Sequence, residues 1–410
     1  MSRFDASSAA RAFPSYDSDR RARTAALAGM IGLAVALGVG RFAFTPLLPL
    51  MLADGSIGLK AGSWLASANY AGYFVGAVSC AALRVAPARM VRFGLAATVL
   101  LTAAMGVGHL LPVWLAVRFV AGVVSAWTFV FVSQWGLRRL AELHAPEWSG
   151  VIYAGPGVGI VLTGLIGSAL AGQRAAWGWL GFAALSAVLS VAIWRTFGFT
   201  SAPGLPSSGG APRAPAAAAP AATPRHRADA MSLVVLYGMP GFGYIITATF
   251  LPVIARAALP AGSPWPDLFW PMFGAALIVG ALAAARLPAH WDNRLLLAGG
   301  CVTQALGIAA GIVWPNAAGF SLGSVLLGLP FTAITLFAMR EARRLHGERA
   351  AGLMGYATAS YGVGQIAGPL VAAPLVAQSG SFTPVLWIAA ASLVAGAAGF
   401  AMRASRGRRW

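Results

Sequence analysis

The sequence predicts an all-α membrane protein of twelve transmembrane helices in two six-helix bundles. Three observations predict it: the composition, the spacing of the apolar runs, and the distribution of basic residues. Of 410 residues 58% are hydrophobic and only 10% charged, whereas a water-soluble chain carries roughly a quarter charged. The 50 glycines and 25 prolines are interspersed within the apolar runs, as membrane helices tolerate. Twelve helices of about 22 residues use roughly 264 residues, which leaves no soluble segment large enough for a domain. Soluble enzymes are excluded on this ground.

Taken in order, the apolar runs fall near 24–52, 62–83, 91–111, 113–137, 149–171 and 175–197, each bounded by polar residues or Pro/Gly breaks. A second set falls near 230–255, 264–286, 294–314, 317–340, 350–376 and 382–403. The first run is too long for a signal-peptide core and reads as a retained helix. Asp19-Arg20-Arg21 lacks the surroundings of a twin-arginine signal. Between the sets, Gly198 to Asp229 is rich in Ala, Pro, Ser and Gly, with Arg213, Arg225 and Arg227 and no apolar period, which reads as a flexible linker. The expected organisation is an N-terminal tail over 1–23, a first bundle over 24–197, a linker over 198–229, a second bundle over 230–403 and a basic tail over 404–410.

The net charge of +18 comes from 28 Arg and one Lys against 11 acids. With the N-terminus inside, 24 of these cations fall in inner segments, and only Lys60, Arg174 and Arg256 in outer loops. Basic residues accumulate on the cytoplasmic side, so both termini and the linker are expected there, in a cytoplasmic (inner) membrane. Nucleic-acid binding needs a clustered basic face with interleaved aromatics, and none is present. Cys80 and Cys301 both sit in apolar runs, which excludes a disulfide framework and a Cys-based metal site.

The halves resemble each other. Gly38, Gly40 and Pro49 match Gly241, Gly243 and Pro252 at an offset of 203. Arg138-Arg139-Leu140 matches Arg343-Arg344-Leu345, and Gly157 and Gly159 match Gly362 and Gly364, at an offset of 205. Ordered anchors with nearly constant offset indicate duplication, and transporters are commonly built from such repeats.

Residues Gly38-Val39-Gly40-Arg41-Phe42-Ala43-Phe44-Thr45-Pro46-Leu47-Leu48-Pro49, with Arg118-Phe119-Val120-Ala121-Gly122 as an Arg-x-x-x-Gly sequence in the fourth helix, resemble the major facilitator superfamily, and the first helix resembles its YbfB/YjiJ branch. The resemblance covers the whole chain. It implies the major facilitator fold, with alternating access about a central site lined by the first, fourth, seventh and tenth helices. The chain departs from the pattern between helices two and three, where the superfamily places an acidic residue before basic ones. That loop keeps Arg84 and Arg89 but has no Asp; Asp292, in the equivalent loop after helix eight, is expected to supply a partial latch. Arg138, Arg139, Arg343 and Arg344 are the other gating or structural candidates. Gly155-Pro156-Gly157-Val158-Gly159 partially resembles a Gly-Pro-x-x-Gly-Gly sequence of exporters, with Ile160 in place of the last glycine. Its other reading is a kink plus close packing of small residues, the packing that also explains Gly72 with Gly76 and Gly364 with Gly368.

Only Arg41 and Arg118 are expected clearly inside the membrane, where a charge is costly unless paired or solvated. A guanidinium in a wet cavity matches a carboxylate bidentately, which makes Arg41 the leading anchor for a small organic anion. The alternative is that each arginine satisfies helix carbonyls or snorkels. Tyr244 holds the repeat position of Arg41; Tyr237 and Thr247 share its helical face. Trp127, Gln134, Thr332 and Thr335 add polar or aromatic groups on helices four and ten. Asn69, Tyr70, Tyr73, Tyr361 and Gln365 are secondary candidates.

No carboxylate or histidine is expected inside the membrane to relay a proton. His109, Asp54 and Asp267 fall at outer helix ends, and His144, His226, His290, His346 and Glu147 on the inner side. A facilitator, an exchanger, or symport in which the anion brings the proton is therefore expected. Without a Gly-x-x-x-x-Gly-Lys-Ser/Thr sequence, transport is not directly ATP-driven, and no cofactor is expected. The expected partners are a small-molecule solute and the lipid bilayer, with the chain a monomer. A proton-driven exporter of lipophilic or cationic compounds is the rival reading; a membrane receptor or enzyme needs domains or clustered catalytic groups that the short loops do not supply.

Overall fold

The computed structural model describes residues 16–198, 224–288, 290–347 and 350–407. Most of the expected N-terminal tail, residues 199–223 of the expected linker and the last three residues lie outside the described residues.

Among the described residues, twelve antiparallel helical segments follow one another. The first half holds α1 (Tyr16–Leu33 and Phe44–Ala53), α2 (Leu59–Ser79), α3 (Pro87–Val107), α4 (Leu111–Glu142), α5 (Ser149–Tyr153 and Gly155–Ala169) and α6 (Ala175–Trp194). The second holds α7 (Pro224–Ala258), α8 (Trp265–Arg286), α9 (Asn293–Val313), α10 (Ala317–Gly328 and Phe331–His346), α11 (Ala350–Ser379) and α12 (Thr383–Gly407). Eleven of these segments are long and apolar enough to cross a membrane. The other, α2, turns Ser63, Ser67, Asn69 and Tyr70 into the protein, so its polarity is spent on interior contacts. Helix α7 begins at Pro224, inside the segment read as linker, and α1 begins at Tyr16, where Asp19 and Arg23 pair at 2.8 Å across one turn. Such i,i+4 pairs support exposed helix ends.

Three helices are interrupted, α5 only briefly at Ala154. In α1 a π-helical stretch, Ala34–Val39, carries five-residue bonds such as Phe42 N–H to Leu37 O, 3.0 Å, before the chain turns at 40–43. Helix α10 breaks at Leu329-Pro330, where proline has no N–H to continue the ladder. One end of the bundle, the linker end, holds the start of α1 and of α7 and the end of α12, where Arg403 meets Asp229 at 3.4 Å. The far end is opposite.

Small residues let the helices approach closely. A Cβ on Gly38 would lie 2.4 Å from Gly159 Cα, and one on Gly72 would lie 1.9 Å from Phe119 O. Gly155 likewise lies against the Met30 carbonyl, so the Gly155-Pro156-Gly159 stretch packs α5 onto α1. Between the halves, α5 packs on α8, α2 on α11 and α1 on α7. Hydrogen bonds join the halves at and beyond mid-depth toward the far end: Thr45 Oγ1 to Ala248 O (3.0 Å), Tyr70 Oη with Thr249 Oγ1 (2.9 Å) and Ser67 Oγ to Ile366 O (2.9 Å).

Candidate solute-binding site

The interruption of α1 builds the site. Where the ladder opens, the carbonyls of Gly40 and Arg41 lose their in-helix partners, and Arg118 of α4 donates to both, from Nη1 at 3.4 Å and Nη2 at 3.2 Å. Arg118 is buried, lies over Phe44 and Trp179, and its α4 backbone is tied to α2 by Asn69 Nδ2 donating to Arg118 O at 2.9 Å. Its guanidinium thus meets helix backbone and rings, the carbonyl-satisfying alternative.

Arg41 instead points between the halves. Its Nη2 donates to Gln365 Oε1 of α11 at 2.8 Å, and Gln365 Nε2 makes a short hydrogen bond to Tyr244 Oη of α7. The guanidinium carbon lies 4.1 Å from the ring centre of Tyr73, 5.2 Å from Tyr70 and 5.3 Å from Phe42. Arg41 is 6% exposed, its Nε has no hydrogen-bond partner, and among the described residues no carboxylate forms an ion pair with it. A buried charge faced only by neutral dipoles and ring faces is electrostatically under-compensated.

Around this group the second half contributes an aromatic wall. Tyr361 stacks on Tyr244 (5.8 Å) and on Tyr237 (4.8 Å), and Phe331 meets Tyr244 and Phe42 edge-on. Tyr237 Oη donates to Thr335 Oγ1 at 3.1 Å. Buried hydroxyls of Thr247 and Thr332 have no partner. The structure thus brings Arg41, Tyr237 and Tyr244 together with Tyr70, Tyr73, Tyr361 and Gln365. Trp127 instead donates Nε1 to Ser79 Oγ at 2.9 Å, and Gln134 is exposed farther along α4. Sequence reasoning left out Phe42, Phe331 and Thr249; the rings carry no polar group to single them out.

The charged residues of the linker end sort differently. Asp292 caps α9, accepting from Arg294 N–H at 2.9 Å, and pairs with the Arg294 side chain at 3.1 Å. Glu341 of α10, 2% exposed, holds Arg344 bidentately (2.6 and 2.8 Å) and lies 3.8 Å from Arg294. Asp292 therefore belongs to a network within the second half. Arg84, Arg89 and Arg343 are exposed, while Arg138 and Arg139 share Glu142, each at 3.0 Å. Burial works to raise the Asp292 carboxyl, but the hydrogen bonds and charge of Arg294 outweigh it and hold the group below the usual carboxylate value. At the far end burial is likewise outweighed at Asp54, by hydrogen bonds from the Ser56 hydroxyl and the Ala175 and Ser56 amides. Glu341 went unnoticed in the sequence because it sits just past the last apolar residue; its spacing of three before Arg344 was the available signal.

Twelve helices in two similar halves around a buried polar centre define a membrane transporter of the major facilitator fold. Residues 33–400 match the family described as "Uncharacterised MFS-type transporter YbfB", and the chain belongs to that family. It is 28% identical over 390 residues to a chloramphenicol resistance protein of Streptomyces lividans, covering 88% of this chain and 92% of the relative. The crystal structure of a point mutant of the nucleoside transporter NupG superposes with a TM-score of 0.67 at 15% identity, over 92% of this chain and 99% of that one, a likeness of fold. The chain is a multi-pass transporter of small-molecule solutes, from a family that contains transporters and not enzymes.

Proposed function

We propose that this transporter carries a small organic anion by alternating access, with the carboxylate on Arg41 and a flat or apolar body against the tyrosines. The observation that carries this reading is the buried Arg41 guanidinium, which meets an amide oxygen and three ring faces but no acid among the described residues. An incoming carboxylate would supply the missing counter-charge and displace Gln365 Oε1, leaving Tyr244 and the free hydroxyls of Thr247 and Thr332 as further donors. The excess of basic residues at the linker end supports a cytoplasmic position for both termini. With no buried carboxylate or histidine beside Arg41 among the described residues, a facilitator, an exchanger, or a symporter whose proton rides on the solute fits best.

A second reading, export of lipophilic compounds, is favoured by the aromatic wall and by the chloramphenicol resistance protein to which the chain is similar. Both readings meet in one experiment: thermal shift of purified protein, then liposome flux, with carboxylates, nucleosides, chloramphenicol and hydrophobic cations, beside Arg41→Gln. Ligands of the native state stabilise it by about 2.7 kcal/mol at a hundred times Kd. A carboxylate that stabilises the wild type and not the folded variant supports the anion site. Stabilisation by chloramphenicol or cations alone, unchanged in Arg41→Gln, would transfer the assignment to export.

A further inference from the structure

A row of hydrogen bonds ties the first half to the second from the level of Arg41 toward the far end. Arg41 Nη2 donates to Gln365 Oε1 at 2.8 Å, Ser67 Oγ to Ile366 O at 2.9 Å and Thr45 Oγ1 to Ala248 O at 3.0 Å, and Tyr70 Oη meets Thr249 Oγ1 at 2.9 Å. Two neighbours on α11 and two on α7 thus take the four bonds from α1 and α2. Arg41, Thr45, Ser67, Tyr70, Thr249 and Gln365 are all buried. Nearer the linker end Thr335, hydrogen-bonded to Tyr237, and Gln134 are exposed. The site is closed on its far side.

Three of the four bonds join neutral groups. The fourth is made by a cation, and hydrogen bonds to an ionised group are roughly twice as strong. Its acceptor is held from both sides. A guanidinium has donors only, so the Gln365 amide must turn its oxygen to Arg41, and its NH2 group then meets Tyr244 Oη, one turn before Ala248 on α7. Tyr361, one turn before Gln365 on α11, stacks on the same tyrosine. The amide oxygen is thereby fixed where a carboxylate oxygen would sit.

We propose that Gln365 couples solute binding to opening of the far side. In the empty carrier its amide occupies Arg41 in the solute's place and fastens α1 to α11, a stand-in role that rests on Arg41 being the anion site. A carboxylate binds a guanidinium through two parallel charge-assisted bonds and so displaces the neutral amide. With the far side closed the solute must break this tie; with the far side open the tie is already broken. That difference in affinity is what biases the halves to part.

The test is the distance between spin labels at Lys60→Cys on α2 and Gln378→Cys on α11, exposed positions at the far ends of two packed helices. The parent chain carries Cys80→Ala and Cys301→Ala and is reconstituted in lipid. Without ligand the parent should show the short distance, and Gln365→Leu should raise the long-distance population about tenfold, the worth of one hydrogen bond to a charged group. Benzoate, a flat carboxylate, should lengthen the distance in the parent but not in Gln365→Glu, whose own carboxylate holds Arg41. That second variant keeps the size of the side chain and decides the matter if Gln365→Leu does not fold. A Gln365→Leu distribution equal to the parent's, or a benzoate response retained in Gln365→Glu, overturns the coupling role. Carboxylates that still stabilise the wild type through Arg41 would then leave the anion site standing. Opening in Gln365→Leu with no carboxylate acting on the parent would overturn the anion site and the stand-in role together, leaving Gln365 a tie of the fold.

Discussion

The two halves share a repeat but handle charge and helix breaks in opposite ways. In the first half α1 is broken at 34–43 and Arg118 meets the exposed carbonyls. The repeat position of Arg118 is Gly323, and the equivalent helix of α1, α7, runs unbroken from Pro224 to Ala258 despite Pro240 and Pro252. The second half breaks α10 instead, at Leu329-Pro330, while α4 is continuous. Charge follows the same division. The second half keeps Arg294, Arg344 and Arg403 paired with its own Asp292, Glu341 and Asp229. The first half buries Arg41 and Arg118 without an acid beside them among the described residues, while nearer its linker end Arg23 pairs with Asp19, and Arg138 and Arg139 with Glu142. The second half satisfies its cations with its own acids; the first satisfies Arg118 with helix carbonyls and leaves Arg41 facing an amide and rings, the feature on which the proposed anion site rests.

The comparison can be broken most severely at Glu341. Glu341→Gln leaves Arg344 and Arg294 without their shared acid and should cost about 3 kcal/mol, the low end for breaking a buried pair because Arg344 is half exposed. Arg139→Gln should cost under about 1 kcal/mol, as for an exposed pair. Thermal midpoints of the two variants check this; equal losses would dissolve the distinction between the halves.

Next in size is Arg118→Gln, which strands the Gly40 and Arg41 carbonyls and should cost about 2 kcal/mol. Arg41→Gln should leave stability within about 1 kcal/mol of wild type, since a buried charge is replaced by a neutral group, yet weaken carboxylate binding about a hundredfold through the loss of charge-assisted hydrogen bonds. Denaturation and flux, measured together, separate a cation that holds the fold from one that holds solute.

Smaller effects sharpen the site. Thr332→Val and Thr247→Val remove buried hydroxyls that have no partner and should be neutral or slightly stabilising, with solute affinity falling about fivefold where the hydroxyl serves as a donor. The smallest effect concerns pH. Asp54 and Asp292 have folded-state values below the ordinary carboxylate value of about 3.9. Their contribution is therefore complete above that value and lost as pH falls through the lower, folded-state one. Asp292→Asn and Asp54→Asn should each flatten the acid limb of stability against pH; an unchanged limb would remove these carboxylates from the balance.

Much of this was legible in the sequence. Apolar runs, cation counts and the duplicated anchors are one-dimensional signals, so the helical segments and the two similar halves follow without coordinates, and Arg41 and Arg118 stand out as the charges set within apolar runs. Chain order also paired Arg41 with Tyr244 across the repeat. The tertiary structure alone decided which arginine faces backbone and which faces the space between the halves. It decided that α1 opens into a π-helical stretch just before Arg41, that Gln365 bridges Arg41 to Tyr244, and that Glu341 is buried while Asp292 stays within its own half. The physical reason is that a helix presents side chains all round, and which of them meets lipid, a neighbour's carbonyl or a polar centre depends on packing partners hundreds of residues away.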